Sequence, residues 1–264
     1  MSYFDPGDDT TFMLLRNFVL DKDVVFPVLH GRGGEDGVIQ SVLESLGIPY
    51  VGSLPHAMHD CYDKGITLEK IQAAGIVFPR SEIVSFAAFK KHKLARQAFV
   101  LKPKIEGALK DTIIITQPKG LRLERFAPLF ARYGDMLLEE YIEGVELKVA
   151  VMNGQIWPVV EEVVEPEAQF TQLLCPPQHI DVETQAKARD IAGHVHVLMQ
   201  CQDMSESDMI LGGDGQLYFL EINTLPGLVP NGSLAQAIAA SGLTTAKVLS
   251  TLVETAHARG RKAA

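Results

Sequence analysis

One stretch, Asp208-Met-Ile-Leu-Gly-Gly-Asp-Gly-Gln-Leu-Tyr-Phe-Leu-Glu-Ile-Asn223, constrains the fold more than any other. Two apolar runs rich in β-formers flank Asp214-Gly215, a dipeptide suited to the two φ > 0 positions of a type I′ turn, so the stretch predicts a β-hairpin. With Asp214 and Gly215 as the loop, Asp208 falls opposite Glu221. Asn223 then shares the face of Glu221, because side chains two apart on a strand point the same way. Carboxylates facing each other across a ladder repel, so a cation is expected between them. Two carboxylates and an amide, without Cys or His, are the oxygen ligands that suit Mg²⁺, which leaves its other positions to water and phosphate oxygens. The competing reading is a surface hairpin with acidic ends. Leu220 and Ile222 speak against it, because they leave little of the second strand polar.

The rest of the chain must supply what such a site grips. Its 264 residues suffice for one large domain or two to three small ones, and 47% apolar content is ample for cores. A net charge of −9, with no basic cluster beyond Lys90-Lys91-His92-Lys93, argues against a nucleic-acid surface. Cys61, Cys175 and Cys201 lack metal or redox spacing and read as small apolar residues in a reducing compartment. No apolar run reaches membrane-spanning length, and the polar, acidic N-terminus is unlike a signal peptide. A cytoplasmic protein is expected.

Taken in order, Phe12–Leu20 reads as a short helix, and Val24–Leu29 as a buried strand running into His30-Gly-Arg-Gly-Gly-Glu-Asp-Gly37. Val38–Leu46 has helical apolar spacing and stops at Gly47. Strand, glycine-rich turn and helix N-terminus in that order suit an anion or a ligand carboxylate. Ile48–Ser53 reads as a strand and turn, the next helix holds Asp63 and Lys64, and a further helix runs from Leu68 to Ala74. Phe99-Val-Leu-Lys-Pro103 is a strand whose Lys102 reads either as a solvent-seeking end or as a fixed ammonium for nucleotide phosphates. Met136–Ile142 and Leu147–Met152 are strands, and Asn153-Gly154 turns the second into Gln155–Val160. Residues 165 to 179 read as a surface loop and Val182–Gln200 as a helix. His194 and His196 in that helix do not share a face and read as ordinary residues. Ser233 is placed to cap a helix from Leu234 to Ala240. A last helix spans Thr245 to Ala258, with Arg259–Lys262 as a frayed end.

Several of these pieces together resemble the D-alanine-D-alanine ligase family of the ATP-grasp superfamily. They are Leu29–Gly37, Leu46-Gly-Ile-Pro-Tyr-Val-Gly-Ser53, Asp63-Lys64, Leu101-Lys-Pro103 with Glu106-Gly107, Leu138-Glu-Glu-Tyr-Ile142 with Gly144-Val-Glu146, and Glu221-Ile-Asn-Thr-Leu-Pro-Gly227. The resemblance implies that Lys64 and Lys102 hold ATP phosphates, that Glu139 receives the adenine amino group, that backbone groups of Glu140 and Ile142 line the adenine pocket, and that Glu146 meets the ribose. It assigns Mg²⁺ to Asp208, Glu221 and Asn223, in agreement with the hairpin. His30 and Glu35 match residues near the first substrate, Gly227 a backbone donor for the oxyanion, and Ser233 a serine for the acceptor carboxylate, one residue late in its spacing. Such enzymes phosphorylate a carboxylate with ATP and let an amine attack the acylphosphate.

The departures are as informative. The family opens with a strand and a glycine-serine loop carrying a glutamate, and this chain is expected to begin after it. The loop after the phosphate lysine reads Glu106-Gly-Ala-Leu-Lys-Asp111, without the family's serines. Glu206 stands where an arginine is expected, and the stretch from Glu161 to Leu174 lacks the tyrosine and lysine of the family's lid. Lys104, Lys110 and Lys148 are the candidates for the missing cation. The resemblance thus implies an α+β chain with the ATP-grasp fold: a truncated α/β piece over residues 1–52, a central subdomain over 53–142, and a metal-bearing domain over 143–264. The two α+β domains would grip ATP, and homodimerisation is open. The first function expected is an ATP-dependent carboxylate-amine ligase whose acceptor need not be D-alanine. The alternative is an ATP-binding homologue that binds or regulates without turnover.

Overall fold

The computed structural model describes residues 15–106, 111–165 and 170–263. Two antiparallel sheets dominate it. The first contains β1 (Ser81–Val84), β2 (Phe99–Pro103), β3 (Ile113–Ile115) and β4 (Met136–Glu140) in the order β1-β4-β2-β3. The second runs β10-β9-β5-β7-β8, built from β5 (Gly144–Met152), β7 (Val160–Glu165), β8 (Phe170–Leu174), β9 (Met204–Gly212) and β10 (Leu217–Asn223), with β6 (Gln155–Ile156) paired to β5. Alternation along β5 and β9 sends Leu147, Val149, Val151 and Met209 into a core beneath the helix Val182–Leu198. The opposite face carries the polar residues taken up below. Gly144 belongs where it is because a Cβ there would lie 2.1 Å from the Leu211 carbonyl oxygen across the ladder.

The smaller sheet has its own core, in which Phe89 packs against Phe99, Phe126 and Phe130 with ring centroids 5.3 to 5.8 Å apart. Tilted and edge-on contacts of this kind contribute about 0.5–1.5 kcal/mol each beyond burial, and they hold β2, the strand that carries Lys102, to the layer behind it.

The opening hairpin forms, by a different route from the one its turn residues suggest. Leu217 pairs with Leu211 and Phe219 with Met209, so the loop has three residues, Gly213 to Gly215, with Gly215 at φ +78°. A bulge at Leu220 then shifts the register, and Glu221 pairs with Asp208 and Asn223 with Glu206. The three-residue loop and the bulge each displace the ladder by one residue, in opposite senses, so the expected Asp208–Glu221 pair survives. The bulge also has a consequence that alternation alone does not produce: Phe219 and Ile222 both enter the core, while Glu221 and Asn223 turn the other way.

Other expectations are corrected. The segments 24–29 and 48–53 are joined by a single parallel bridge, Val25 to Tyr50, with Val25 N–H donating to Pro49 O and Val51 N–H to Val25 O. The next rung would need an N–H from Pro27, and proline has none. Pro158 likewise splits the expected strand Gln155–Val160 into β6 and the start of β7. Residues 170–174, expected in a loop, form β8 and pair with β7. Asp63 is the junction of the helices Pro55–Tyr62 and Lys64–Ala73, accepting from Gly65 N–H at 2.8 Å as the cap of the second. Ser233 opens its helix but makes no cap bond; Gly232 is the cap residue.

The tail is not frayed. The last helix runs Thr245–Ala263, and Arg259 forms a two-pronged ion pair with buried Asp203, one bond being Nη2 to Oδ2 at 2.7 Å. The same guanidinium donates to Tyr50 O at 3.1 Å, and Asp203 Oδ2 accepts from Gly52 N–H at 2.8 Å. One ion pair thereby ties the N-terminal piece to the larger sheet. Replacing Arg259 by Ala leaves Asp203 buried without its counter-charge, so stability should fall by about 2 kcal/mol, less than for a fully buried pair because the arginine is partly exposed. Urea unfolding of R259A against wild type measures it; an unchanged midpoint would refute the clamp.

Candidate active site

The register of the larger sheet writes the site out as a grid on its open face. Across β10, β9 and β5, one row reads Glu221, Asp208, Lys148, and the next reads Asn223, Glu206, Ala150. On the other side of the first row, Ile210 and Glu146 align with Glu162 of β7. Five carboxylates thus share a surface with one lysine. Lys148 sits among them, its Nζ 2.9 Å from Asp208 Oδ2 and 3.5 Å from Glu162 Oε2.

Two further lysines face this surface from the other wall. Lys64, at the N-terminus of its helix, places Nζ 2.7 Å from Glu106 O and 3.9 Å from Glu221 Oε2. Lys102 lies on β2 diagonal to Glu139 of β4, and their charges meet at 2.6 Å, both side chains buried. Lys64, Glu221, Asn223, Thr224, Glu35 and Tyr62 line one pocket. The strands and helix that carry these residues come from different parts of the chain, yet their charged ends meet in one cleft.

The charges respond to that crowding. Burial pushes the Asp208 carboxyl up to about 8, against the pull of Lys148 and with help from Glu206 and Glu221. Burial works against Glu221 too, but Lys102, Lys64 and Lys148 together hold it below the usual carboxylate range. Burial lowers Lys64, with Lys102 adding repulsion, whereas Lys148 is raised because Asp208, Glu206 and Glu162 outweigh its burial. Asp208 Oδ1 is buried with no hydrogen-bond partner. Such an atom costs about 1–3 kcal/mol unless something comes to meet it, so this set of two carboxylates and an amide fits a hard divalent cation. Among the described residues no three His, Cys, Asp or Glu side chains converge as a ready cage.

The remaining expected residues fall around this centre. Glu35 is buried, accepts from Gly31 N–H at 2.5 Å and is raised chiefly by burial. Its Oε1 lies 3.8 Å from His30 Nδ1, and His30 faces a neighbouring apolar cavity of about 190 Å³ walled by Phe26, Met204, Leu225 and Leu228. Gly227 belongs to the loop that forms that wall. Ser233 Oγ donates to Glu206 Oε2 at 2.7 Å, so the serine and the residue standing in place of the expected arginine are bonded to each other. Glu139 also accepts from Ser81 Oγ at 3.3 Å. Glu140 is paired through both carboxylate oxygens to Arg80 at 2.7 Å, and its N–H donates to Arg80 O. Ile142 lies in the link to β5 against Gly212, and Glu146 is raised by burial and by Glu162. Of the candidate replacement cations, Lys104 is held by Asp63 at 3.0 Å, Lys148 stands in the grid, and Lys110 lies outside the described residues, as do Gly107 and Ala108.

Sequence reasoning missed Glu162 and Arg80. Glu162 is legible only once the β5–β7 register is known, because Glu161 beside it points to the other face and is bound by Gln178 N–H, His179 N–H and the His179 ring. Arg80 precedes β1 and carries no motif.

Comparison with known proteins bears on family and fold. The family model described as D-ala D-ala ligase C-terminus matches residues 122–254, and that of the N-terminus matches residues 11–53. A D-alanine--D-alanine ligase of Nitratidesulfovibrio vulgaris is 30% identical over 96% of this chain and 86% of its own length. One from Erythrobacter litoralis is 32% identical over 89% of this chain and 77% of its own. Among solved structures, a D-alanine--D-alanine ligase from Bacillus anthracis complexed with ATP superposes with a TM-score of 0.82 at 26% identity, covering 96% of this chain and 85% of that one. The VanG D-Ala:D-Ser ligase of Enterococcus faecalis superposes with a TM-score of 0.77 at 26% identity, covering 89% and 73%.

The Lys102–Glu139 pair makes a direct claim about energy. Lys102→Met alone strands a buried carboxylate and should cost about 3–5 kcal/mol, whereas Lys102→Met with Glu139→Leu should recover most of that loss. Denaturant unfolding of the two variants decides it, and equal losses would mean that the pair is not desolvated.

Proposed function

The chain belongs to the D-alanine–D-alanine ligase family and is an ATP-grasp ligase, and on that premise we propose that it joins a carboxylate to an amine through an acylphosphate, with an acceptor that need not be D-alanine. The observation that carries this is the convergence of Asp208, Glu221 and Asn223 from one sheet with Lys64 and Lys102 from the opposite wall. A carboxylate oxygen of the first substrate attacks the terminal phosphorus of ATP, and ADP leaves. The amine nitrogen of the acceptor then attacks the acyl carbon, and inorganic phosphate leaves. Mg²⁺ held by Asp208, Glu221 and Asn223 would neutralise phosphate charge.

The chain's own residues would supply position and counter-charge, which is most of what phosphoryl transfer needs. Lys64 and Lys102 bind the phosphates, Glu139 and the backbone at Glu140 and Ile142 hold the adenine, and Glu146 holds the ribose. His30 with Glu35 orients the first substrate, Gly227 offers its N–H to the developing oxyanion, and Ser233 meets the acceptor. The solved relative that bears the name D-Ala:D-Ser ligase supports an acceptor that varies on one fold. A second reading, nucleotide binding without turnover, is favoured by one contact: the Ser233 hydroxyl is already given to Glu206.

Two measurements test this. Incubated with ATP, Mg²⁺ and paired D- and L-amino acids, the protein should release phosphate with at least one pair; none across the panel, with nucleotide bound, selects the second reading. Metal affinity should also depend on pH with a definite sign. The Asp208 carboxyl, pushed up to about 8, must lose its proton before it can ligate, so affinity for Mg²⁺ with ADP should rise by up to about tenfold per unit from pH 7 and level off above about 8. A profile flat from pH 7 to 9 would mean that no ligand of the ion changes protonation in that range.

A further inference from the structure

Each of the two carboxylates assigned to the metal carries its own lysine: Glu221 has Lys64 at 3.9 Å, and Asp208 has Lys148 at 2.9 Å. Lys64 approaches from the helix wall and Lys148 from the sheet itself, so the two ammonium groups flank the metal ligands from opposite sides. Lys148 is part-exposed, with its side chain 23% accessible, and it is the only cation on the open face of the grid among the described residues.

From this arrangement we infer that Lys148 is a third phosphate-binding lysine, parked on Asp208 until a divalent ion takes that carboxylate. The inference rests on the nucleotide reading above. Asp208 Oδ2 cannot serve the ammonium at full strength once it ligates a divalent ion, whose charge also repels Lys148. The lysine is long enough to turn, and an ammonium is a point charge that suits a phosphate oxygen without demanding a fixed fork of bonds. Glu162, 3.5 Å away, stays beside it and keeps the freed group on this face of the cleft. Lys104 is not equivalent, because its partner Asp63 is the cap of a helix and not a metal ligand. Binding the metal and binding the phosphates are then one exchange of partners: two carboxylates pass from lysines to the ion, and two lysines pass from carboxylates to the nucleotide.

The test compares wild type, Lys148→Met and Lys148→Arg for binding ADP and a β,γ-imido ATP analogue with Mg²⁺ by calorimetry at pH 8.5, alongside the unfolding midpoint of the ligand-free protein. In K148M the preference for the triphosphate over ADP should fall about tenfold. K148R should keep most of the preference. An unchanged preference in folded K148M overturns the inference, whether or not the midpoint moves, and leaves the nucleotide reading standing. Wild type that binds neither nucleotide overturns both.

Discussion

Five carboxylates on one face of a sheet cannot stand without compensation, and that requirement organises the cleft. Like charges at ladder spacing repel, and burial makes each of them costlier. The chain answers with cations drawn from separate places: Lys148 from within the sheet, Lys64 from a helix end, and Lys102 from the second sheet. The two walls of the cleft are therefore joined across it by opposite charge as well as by packing. A triphosphate with its metal ion brings the same two kinds of charge in one ligand. Within the chain, lysines and carboxylates already meet in the cleft in the combination of charges that such a ligand would offer.

Much of this was legible in the chain. The hairpin, the strand bearing Lys102, the pairing of Asp208 with Glu221 and the lysine after Asp63 all follow from local patterns that the tertiary structure had no reason to override. Even so, the pattern predicts the Asp208–Glu221 pair through a two-residue loop, whereas the chain makes that pair with a three-residue loop and a bulge at Leu220 that no pattern of apolar residues announces. Alternation would have buried Phe219 and Glu221 together. A core that accepts Phe219 and Ile222 requires an extra residue between them, and Leu220 absorbs it.

What stayed hidden depends on register or on the absence of a proton donor. Glu162 reaches the grid only because β5 meets β7 at Glu146, a pairing fixed by long-range contact. The short parallel bridge at Val25 reflects Pro27, whose missing N–H ends the ladder before it becomes a strand pair. The helical ending at Arg259 was invisible because a basic terminal run usually faces water. Here it finds Asp203, a carboxylate held by the Gly52 backbone and far away in sequence.

That last ion pair also bears on the chemistry. Glu35 and His30 sit on the N-terminal piece, whose sheet and core, among the described residues, amount to one bridge and a small cluster. Such a piece cannot by itself hold two side chains against a cleft made by other elements. Arg259 grips Tyr50 and Asp203 together, and Gly52 N–H closes the same cluster, so the segment entering the helix Pro55–Tyr62 is fixed at its far end. That helix leads through Asp63 to Lys64. A short, continuous run of backbone therefore joins the cluster gripped by Arg259 to the lysine that faces the cleft.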